Sequence, residues 1–450
     1  MLYSFFKAIF TFAVRTYFSE IQIRNEDNIP SDGPVILLPN HRSAFMDPLV
    51  VAVYSKRKVH FLARGESFKN AFLAKLLGKL NAIPIYRKDK TPEDMGKNED
   101  TFEYCYRLLE KNGVLVLFPE GASQSKPILL PLKTGAARIA LGAEALNEFS
   151  LNIQLVPIGI NYTNPHHFQG QLFLNVGKPI SLSKYAALNK ENPKISVQKL
   201  TEEIEIELRN RVVIVDDSRW YDLTNQIEKI VSIAPQRFGV AENKEHANWF
   251  LARKDIAATI DYFKKEKLDV LLDIEHKVQR YTSIANLLNF NTGQSYFPNA
   301  NRPWHSNPVA LAVYLLLGFP VFIAGLLLNF LPYTLTNFLA KKLVQKTDFF
   351  GSIVLVLGLL IFTVNGTLLT WGMYQVCHNI VISVSFFFIL LSLGLFTFRY
   401  FNKLKRGLSN LKLWIIGRNK KSLKYSLTKE MEELLTLLKS GHDEYLNILK

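Results

Sequence analysis

Two stretches without a single Asp, Glu, Lys or Arg, residues 303–340 and 349–398, constrain this chain more than any other feature. A helix crosses a bilayer in about 20 residues. The second stretch, 50 residues long, therefore accommodates two spans, expected at 350–372 and 378–398, with a break near the run MYQVCHN. The first is also long enough but carries Pro320 and Pro332. Lys341, Lys342 and Lys346 follow the first stretch, and Arg399, Lys403, Lys405 and Arg406 follow the last. One crossing by the first stretch would put the lysine cluster across the membrane from the soluble part that precedes it, against the bias that keeps basic loops cytoplasmic. A re-entrant hairpin over 308–332, turning at residues 318–320, avoids that conflict and is the expected arrangement. Three plain spans are the alternative. The whole membrane region is placed at 304–400.

The remaining segments differ in character. Residues 401–450 open as a basic tail: nine Lys or Arg and no acid occur from residue 399 to 424. In a chain of net charge +15, such a segment suits the anionic headgroups of a phospholipid membrane. It also suits nucleic acid, but the charges adjoin apolar spans and no recognition motif accompanies them, so no nucleic acid partner is expected. At the N-terminus, Lys7 and Arg15 interrupt any signal-peptide core. Phe5, Phe6, Ile9, Phe10 and Ala13 share one helical face, which predicts an amphipathic helix at the membrane interface over residues 1–20. The two cysteines, Cys105 and Cys377, cannot form a disulfide framework. An integral membrane protein with its soluble part on the cytoplasmic side is expected. Residues 216–303 read as a soluble helical region to which the sequence attaches no chemistry.

Residues 21–215 alternate short apolar runs with helical patterns, the signature of an α/β domain. GPVILLPN, KVHFLARG, NAIPIY, GVLVLFPEG, NIQLVPIGINY and LFLNVGKPI read as strands. DPLVVAVYSK, NEDTFEYCYRLLEKNG and KTGAARIALGAEALNE read as helices, the second capped at its C-terminus by Gly113. The fold class expected is α/β, a mixed central sheet flanked by helices, followed by a helical region and C-terminal transmembrane helices.

Chemistry-bearing residues recur where these strands meet loops. NHRSAFMDP supplies His41 and Asp47, AIPIYRK supplies Arg87, FPEGASQSKPILLPLKTG supplies Glu120, Gly121, Ser123 and Lys133, and VPIGINY follows. A histidine can take the proton of an attacking hydroxyl, and an aspartate on its far nitrogen fixes the tautomer and stabilises the imidazolium. No G-x-S-x-G elbow supplies a protein nucleophile, so the attacking oxygen would be the substrate's. Arg87 and Lys133 are cations suited to a phosphate, and Gly121 lets backbone approach a ligand closely. His166 and His167 have no third ligand in the sequence and are read as loop residues, so no metal is expected.

In this order the motifs resemble those of the glycerolipid acyltransferases. FPEGAS matches the third motif of that family residue for residue, AIPIYR resembles the second, and VPIGINY the fourth; the likeness covers residues 30–180. It implies transfer of an acyl chain from acyl-CoA or acyl carrier protein, with no further cofactor, to a glycerol-phosphate hydroxyl. His41 and Asp47 would be catalytic, and Arg87, Glu120, Gly121, Ser123 and Lys133 would bind the acceptor. Five residues separate His41 from Asp47, where the commonest form of the motif has four. One extra residue turns a helical side chain by about 100°, so Asp47 reaches His41 only if the helix starts after the histidine or carries a bulge. The longer spacing, with Pro48 and the run VPIGINYTNPHHFQGQLFLNVGKPI, resembles the subgroup that acylates glycerol 3-phosphate or dihydroxyacetone phosphate. Acylation of 1-acylglycerol 3-phosphate or another lysolipid, and an inert lipid-binding scaffold on the same fold, are the alternatives.

Overall fold

The computed structural model describes residues 2–86, 92–215, 217–231, 234–238, 248–287, 308–419 and 421–448. The chain divides into two compact units, the first comprising Met1–Asp216 with Val344–Leu355, the second Asp217–Leu343 with Val356–Lys450.

In the first unit the apolar runs become the strands of one sheet: β1 (Glu20–Arg24), β2 (Val35–Pro39), β3 (Val59–Arg64), β4 (Ala82–Ile85), β5 (Val114–Val116), β6 (Gln154–Tyr162), β7 (Gln171–Val176) and β8 (Ile180–Ser181). Their order is β1-β7-β6-β2-β5-β3-β4, with β8 also on β6. All pairings are parallel except those of β6 with β7 and β8. β2 lies at the centre, Leu37 opposite Val116 of β5 and Val156 of β6. All five of its residues are buried, as a strand covered on both faces must be.

Among the described residues seven α-helices accompany this sheet: α1 (Leu2–Tyr17), α2 (Met46–Tyr54), α3 (Ala71–Lys79), α4 (Asn98–Glu110), α5 (Gly135–Leu146), α6 (Ala186–Glu191) and α7 (Pro193–Arg211). Ile36 and Leu38, two residues apart and so on one face of β2, join a buried cluster with Leu109 of α4, Ala140 of α5 and Ile204 of α7. α1 buries Ala13, Val14 and Tyr17 and leaves Phe5 and Phe12 exposed, and its Lys7 ammonium donates to the Ser55 carbonyl at the end of α2. The C-terminus of α4 differs in detail from expectation. The left-handed residue is Asn112 (φ 57°), and the Gly113 N–H closes on the Leu108 carbonyl.

The second unit is helical: α8 (Ser218–Val231), α9 (Asn248–Glu266), α10 (Leu268–Leu287), α11 (Pro308–Leu343), α12 (Phe350–Cys377, its first turns in the first unit), α13 (Ile380–Asn419) and α14 (Lys421–Ile448). The residues after 401, expected as a basic tail, are helical where described. α13 runs on to Asn419, and α14 folds onto α9 and α10, with Glu430 on Arg280 and Glu444 on Lys267.

The hairpin expected at residues 318–320 does not form. α11 is one helix with Pro320 and Pro332 inside it, and among the described residues three helices are long and apolar enough to cross a membrane. Packing against α13 explains how it continues through the prolines. A Cβ on Gly325 would lie 2.1 Å from the Thr397 hydroxyl, and one on Gly318 2.9 Å from the Tyr400 ring. Small residues at such crossings let apolar helices approach closely, and apolar surroundings penalise any turn that would free backbone groups. Outward-facing Leu316, Leu327, Leu368 and Val376 are exposed, as lipid-facing residues are.

Candidate active site

Parallel strands β2 and β5 end side by side, which gathers the loops after them at one edge of the sheet, the place where α/β folds bind ligands. Asn40 prolongs the sheet by one residue. Its side chain accepts from the Ile160 N–H at 2.6 Å and donates to the Ile160 carbonyl at 3.2 Å. His41 comes next and is held on both sides of its peptide. Its N–H donates to Glu120 Oε1 at 2.6 Å, and its carbonyl accepts the Gln124 N–H at 2.9 Å. The imidazole stacks on Phe118, centroids 4.2 Å apart.

The extra residue between His41 and Asp47 is absorbed by a loop. Helix α2 starts only at Met46, so Asp47 returns on its first turn and its Oδ2 meets His41 Nδ1 at 2.9 Å. Asp47 is fully buried. Its Oδ2 also accepts the Ser43 N–H at 2.7 Å, and its Oδ1 accepts the Tyr162 hydroxyl at 2.6 Å. Burial first, and then the adjacent carboxylate, push the Tyr162 hydroxyl well above its ordinary pKa, so it remains a donor. An ionised carboxylate only accepts, which assigns the proton of a neutral His41 to Nδ1 and the lone pair to Nε2. Among the described residues, Nε2 has no hydrogen-bond partner.

Glu120 braces this arrangement. It is 3% exposed, and while Oε1 holds His41, Oε2 accepts the Leu130 N–H at 2.8 Å. Burial raises its pKa to about 7, the two backbone donors opposing the shift. Gly121 adopts φ +69°, the left-handed region that other residues enter at a cost. Its open side faces Lys133, whose Cγ would lie 3.5 Å from an added Cβ. Lys133 is exposed, and its N–H donates to the Pro119 carbonyl at 2.7 Å. The Ser123 hydroxyl donates to Asp348. Thus His41, Asp47, Glu120, Gly121, Ser123 and Lys133 converge on one edge of the sheet; Arg87 lies outside the described residues.

The family model described as Acyltransferase matches residues 20–161, the segment that carries the sheet edge, His41, Asp47 and the FPEGAS loop. Those residues are an acyltransferase domain. The chain is 29% identical over 189 residues to glycerol-3-phosphate O-acyltransferase 2 of Saccharomyces cerevisiae, covering 42% of this chain and 21% of the relative. With glycerol-3-phosphate O-acyltransferase 1 of the same yeast it shares 24% over 288 residues, 45% of this chain and 38% of the relative. The chain therefore spans well under half the length of either yeast protein. The 1-acyl-sn-glycerol-3-phosphate acyltransferase of Bacillus subtilis is 26% identical over 199 residues, 43% of this chain and 89% of the relative. Among solved structures, the 1-acyl-sn-glycerophosphate acyltransferase of Thermotoga maritima aligns at 18% identity with a TM-score of 0.35, over 46% of this chain and 77% of that one.

Four residues that touch the acyltransferase motifs escaped the sequence reading. Arg42, 6% exposed, donates to the Ser125 carbonyl at 2.9 Å. Tyr162 was legible in principle, because it stands two residues beyond Ile160 on β6 and so on the same face. Asp348 and Ser352 lie some 300 residues from the histidine motif. Their one signal is that Asp348 is the sole acid between residues 303 and 398. His166 also approaches the site. Burial and the charge of Arg42 lower its pKa, while Asp348 and Asp47 oppose the shift. Among the described residues no three His, Cys, Asp or Glu side chains gather as metal ligands.

Proposed function

We propose that this chain is a membrane O-acyltransferase that moves a fatty acyl group from acyl-CoA or acyl carrier protein to a hydroxyl of glycerol 3-phosphate or dihydroxyacetone phosphate, an early step towards phosphatidic acid. The observation that carries the reading is the buried Asp47 carboxylate 2.9 Å from His41 Nδ1, which leaves Nε2 as the base. His41 Nε2 takes the acceptor hydroxyl proton as the oxygen attacks the thioester carbonyl. The C–S bond breaks as the tetrahedral intermediate collapses, and the imidazolium returns the proton to the departing thiolate. Asp47 stabilises the imidazolium between these steps.

Lys133, with Arg87 by sequence position, holds the acceptor phosphate; Gly121 and Ser123 line its approach, and Glu120 serves by fixing the His41 peptide. The apolar helices keep the site beside the membrane in which the acylated product dissolves, with the domain on the cytoplasmic side and the basic segments against anionic headgroups. The yeast relatives' names favour glycerol 3-phosphate as acceptor. The Bacillus relative's name supports 1-acylglycerol 3-phosphate as the second reading.

Membranes containing the full chain, supplied with labelled acyl-CoA or acyl carrier protein and each acceptor separately, test this directly. Transfer to one acceptor that falls by roughly three orders of magnitude or more in His41→Ala is the expected result. Undiminished transfer in that variant would overturn the mechanism, and no transfer with any donor would favour the inert scaffold.

A further inference from the structure

The five-residue spacing leaves a physical problem that the acyltransferase domain does not solve by itself. A helix N-terminus presents backbone N–H groups with no partner inside the helix. A side-chain oxygen at the N-cap commonly satisfies one of them. At α2 the N-cap is Phe45, which has no side-chain acceptor. The loop that the extra residue creates, residues 42–45, is equally in need of partners, because its Ser43 is fully buried, as is Met46 at the start of α2.

The acceptors come from the short segment between the charge-free stretches. Ser352, on the first turn of α12 and fully buried, accepts the Phe45 N–H at 3.2 Å and the Met46 N–H at 3.0 Å. Its hydroxyl also lies 3.3 Å from that of Ser43. Four residues earlier, the Asp348 carbonyl accepts the Ala44 N–H at 3.1 Å and the Ser43 hydroxyl at 3.2 Å. Phe349 meets Phe45 edge to face, centroids 5.5 Å apart. On the same strap, the Asp348 carboxylate receives the Ser123 hydroxyl, and the Thr347 and Ser125 hydroxyls are 3.4 Å apart. An added Cβ on Gly351 would lie 2.1 Å from the Pro165 carbonyl oxygen, so this backbone is seated too closely for any larger residue. Each strap residue belongs to the same compact unit as the acyltransferase domain.

We propose that Ser352 is a positioning residue for acyl transfer: by capping α2 from outside the acyltransferase domain, it sets where Asp47 stands and hence how His41 is aimed. The strap supplies from a distance the N-cap that a local Ser, Thr, Asn or Asp would otherwise provide, and Asp348 fixes Ser123 in the same way. The inference rests on the reading of His41 as the base. Its distinguishing content is that a residue 311 positions after His41 in the chain, and beyond the span matched by the family, tunes turnover without touching the acceptor.

The test uses full-length protein in lipid-containing detergent micelles. Ser352→Ala, Ser352→Thr and Ser352→Cys are compared with wild type and His41→Ala for kcat and for the acceptor KM. Ser392→Ala serves as control, since among the described residues that hydroxyl bonds the Phe388 carbonyl of its own helix and nothing else. Displacements near 1 Å at a reacting group cost on the order of 100-fold, so Ser352→Ala is expected to lower kcat by about 10- to 100-fold with KM within about 2-fold. Threonine keeps the acceptor oxygen and restores kcat to within about 3-fold; cysteine, a poor acceptor, falls between. If the alanine variant fails to fold, the threonine and cysteine pair still decides the matter. Wild-type kcat in both alanine and cysteine variants, alongside an inactive His41→Ala, would overturn the positioning role and leave the proposed function intact. An active His41→Ala would instead remove the proposed function. A loss that appears wholly in KM would also refute the inference.

Discussion

Replacing Tyr162 with phenylalanine removes a single oxygen from the interior, and the structure says what that oxygen does. It donates to Asp47 Oδ1 at 2.6 Å. The other two donors to this carboxylate, His41 Nδ1 and the Ser43 N–H, both converge on Oδ2. Tyr162→Phe therefore leaves Oδ1 of a fully buried carboxylate without its donor, while the ring keeps its place, stacked on Phe18 with centroids 5.6 Å apart. A hydrogen bond to a charged group contributes about 1.5–3 kcal/mol. For a domain of this size, 1 kcal/mol moves the unfolding midpoint by about 2–4 °C, so a fall of roughly 3–12 °C is expected. Asp47 freed on one side also turns more easily, so kcat is expected to fall by about 10-fold with the acceptor KM unchanged. Thermal denaturation followed by thiol labelling of Cys105, which is fully buried in the same unit as Tyr162, paired with labelled acyl transfer on the same preparation, reads both. A midpoint within about 1 °C of wild type would show that the Tyr162 hydroxyl does not stabilise Asp47, and would refute the reasoning.

Glu120 predicts a pH dependence of stability. Its carboxyl titrates near 4.5 when unfolded and near 7 in the folded protein, so the folded chain holds more protons between these values. Its contribution is fully present below pH 4.5 and is lost as pH rises through 7, amounting to about 3 kcal/mol. Glu120→Gln should flatten that slope in midpoints measured from pH 5 to 8; an unchanged slope would assign it to other groups. At Gly159 an added Cβ would lie 2.1 Å from the Arg211 carbonyl oxygen, so Gly159→Ala should abolish folded protein in a size-exclusion assay. Gly121→Ala meets only the Lys133 side chain at 3.5 Å and should cost about 1–2 kcal/mol from its left-handed backbone. Equal yields of the two variants would contradict this. Lys133→Ala should raise the acceptor KM by about 10-fold or more while leaving kcat nearly unchanged, and a pure kcat effect would remove Lys133 from phosphate binding.

What the sequence disclosed follows from how local each determinant is. β2, β5 and β6 were legible because buried strands of a sheet covered on both faces read as unbroken apolar runs, whereas β1, with its alternating EIQIR, is half-exposed and passed unnoticed. The choice between a loop and a bulge at the His41 motif could be posed but not made, since the acceptors that permit the loop, Ser352 and the Asp348 carbonyl, lie beyond any local pattern. Likewise Glu120 stands within the FPEGAS motif, but its engagement with two backbone N–H groups is a property of how two loops meet. The lysine cluster after residue 340 suggested a turn at 318–320 through the bias that keeps basic loops cytoplasmic; α11 instead runs on as one helix, with Gly318 and Gly325 packed closely on α13.

The strap also has a consequence for how the protein is made. The acyltransferase domain leaves the ribosome first, yet the residue that caps α2 is polymerised only after the 36-residue helix α11. At about 5–20 residues per second, the sheet waits on the order of ten seconds for Ser352. During that interval the N-terminus of α2 lacks the Ser352 oxygen that accepts the Phe45 and Met46 N–H groups. The contacts that complete the His41–Asp47 loop are thus available only after the apolar helix α11 has been synthesised.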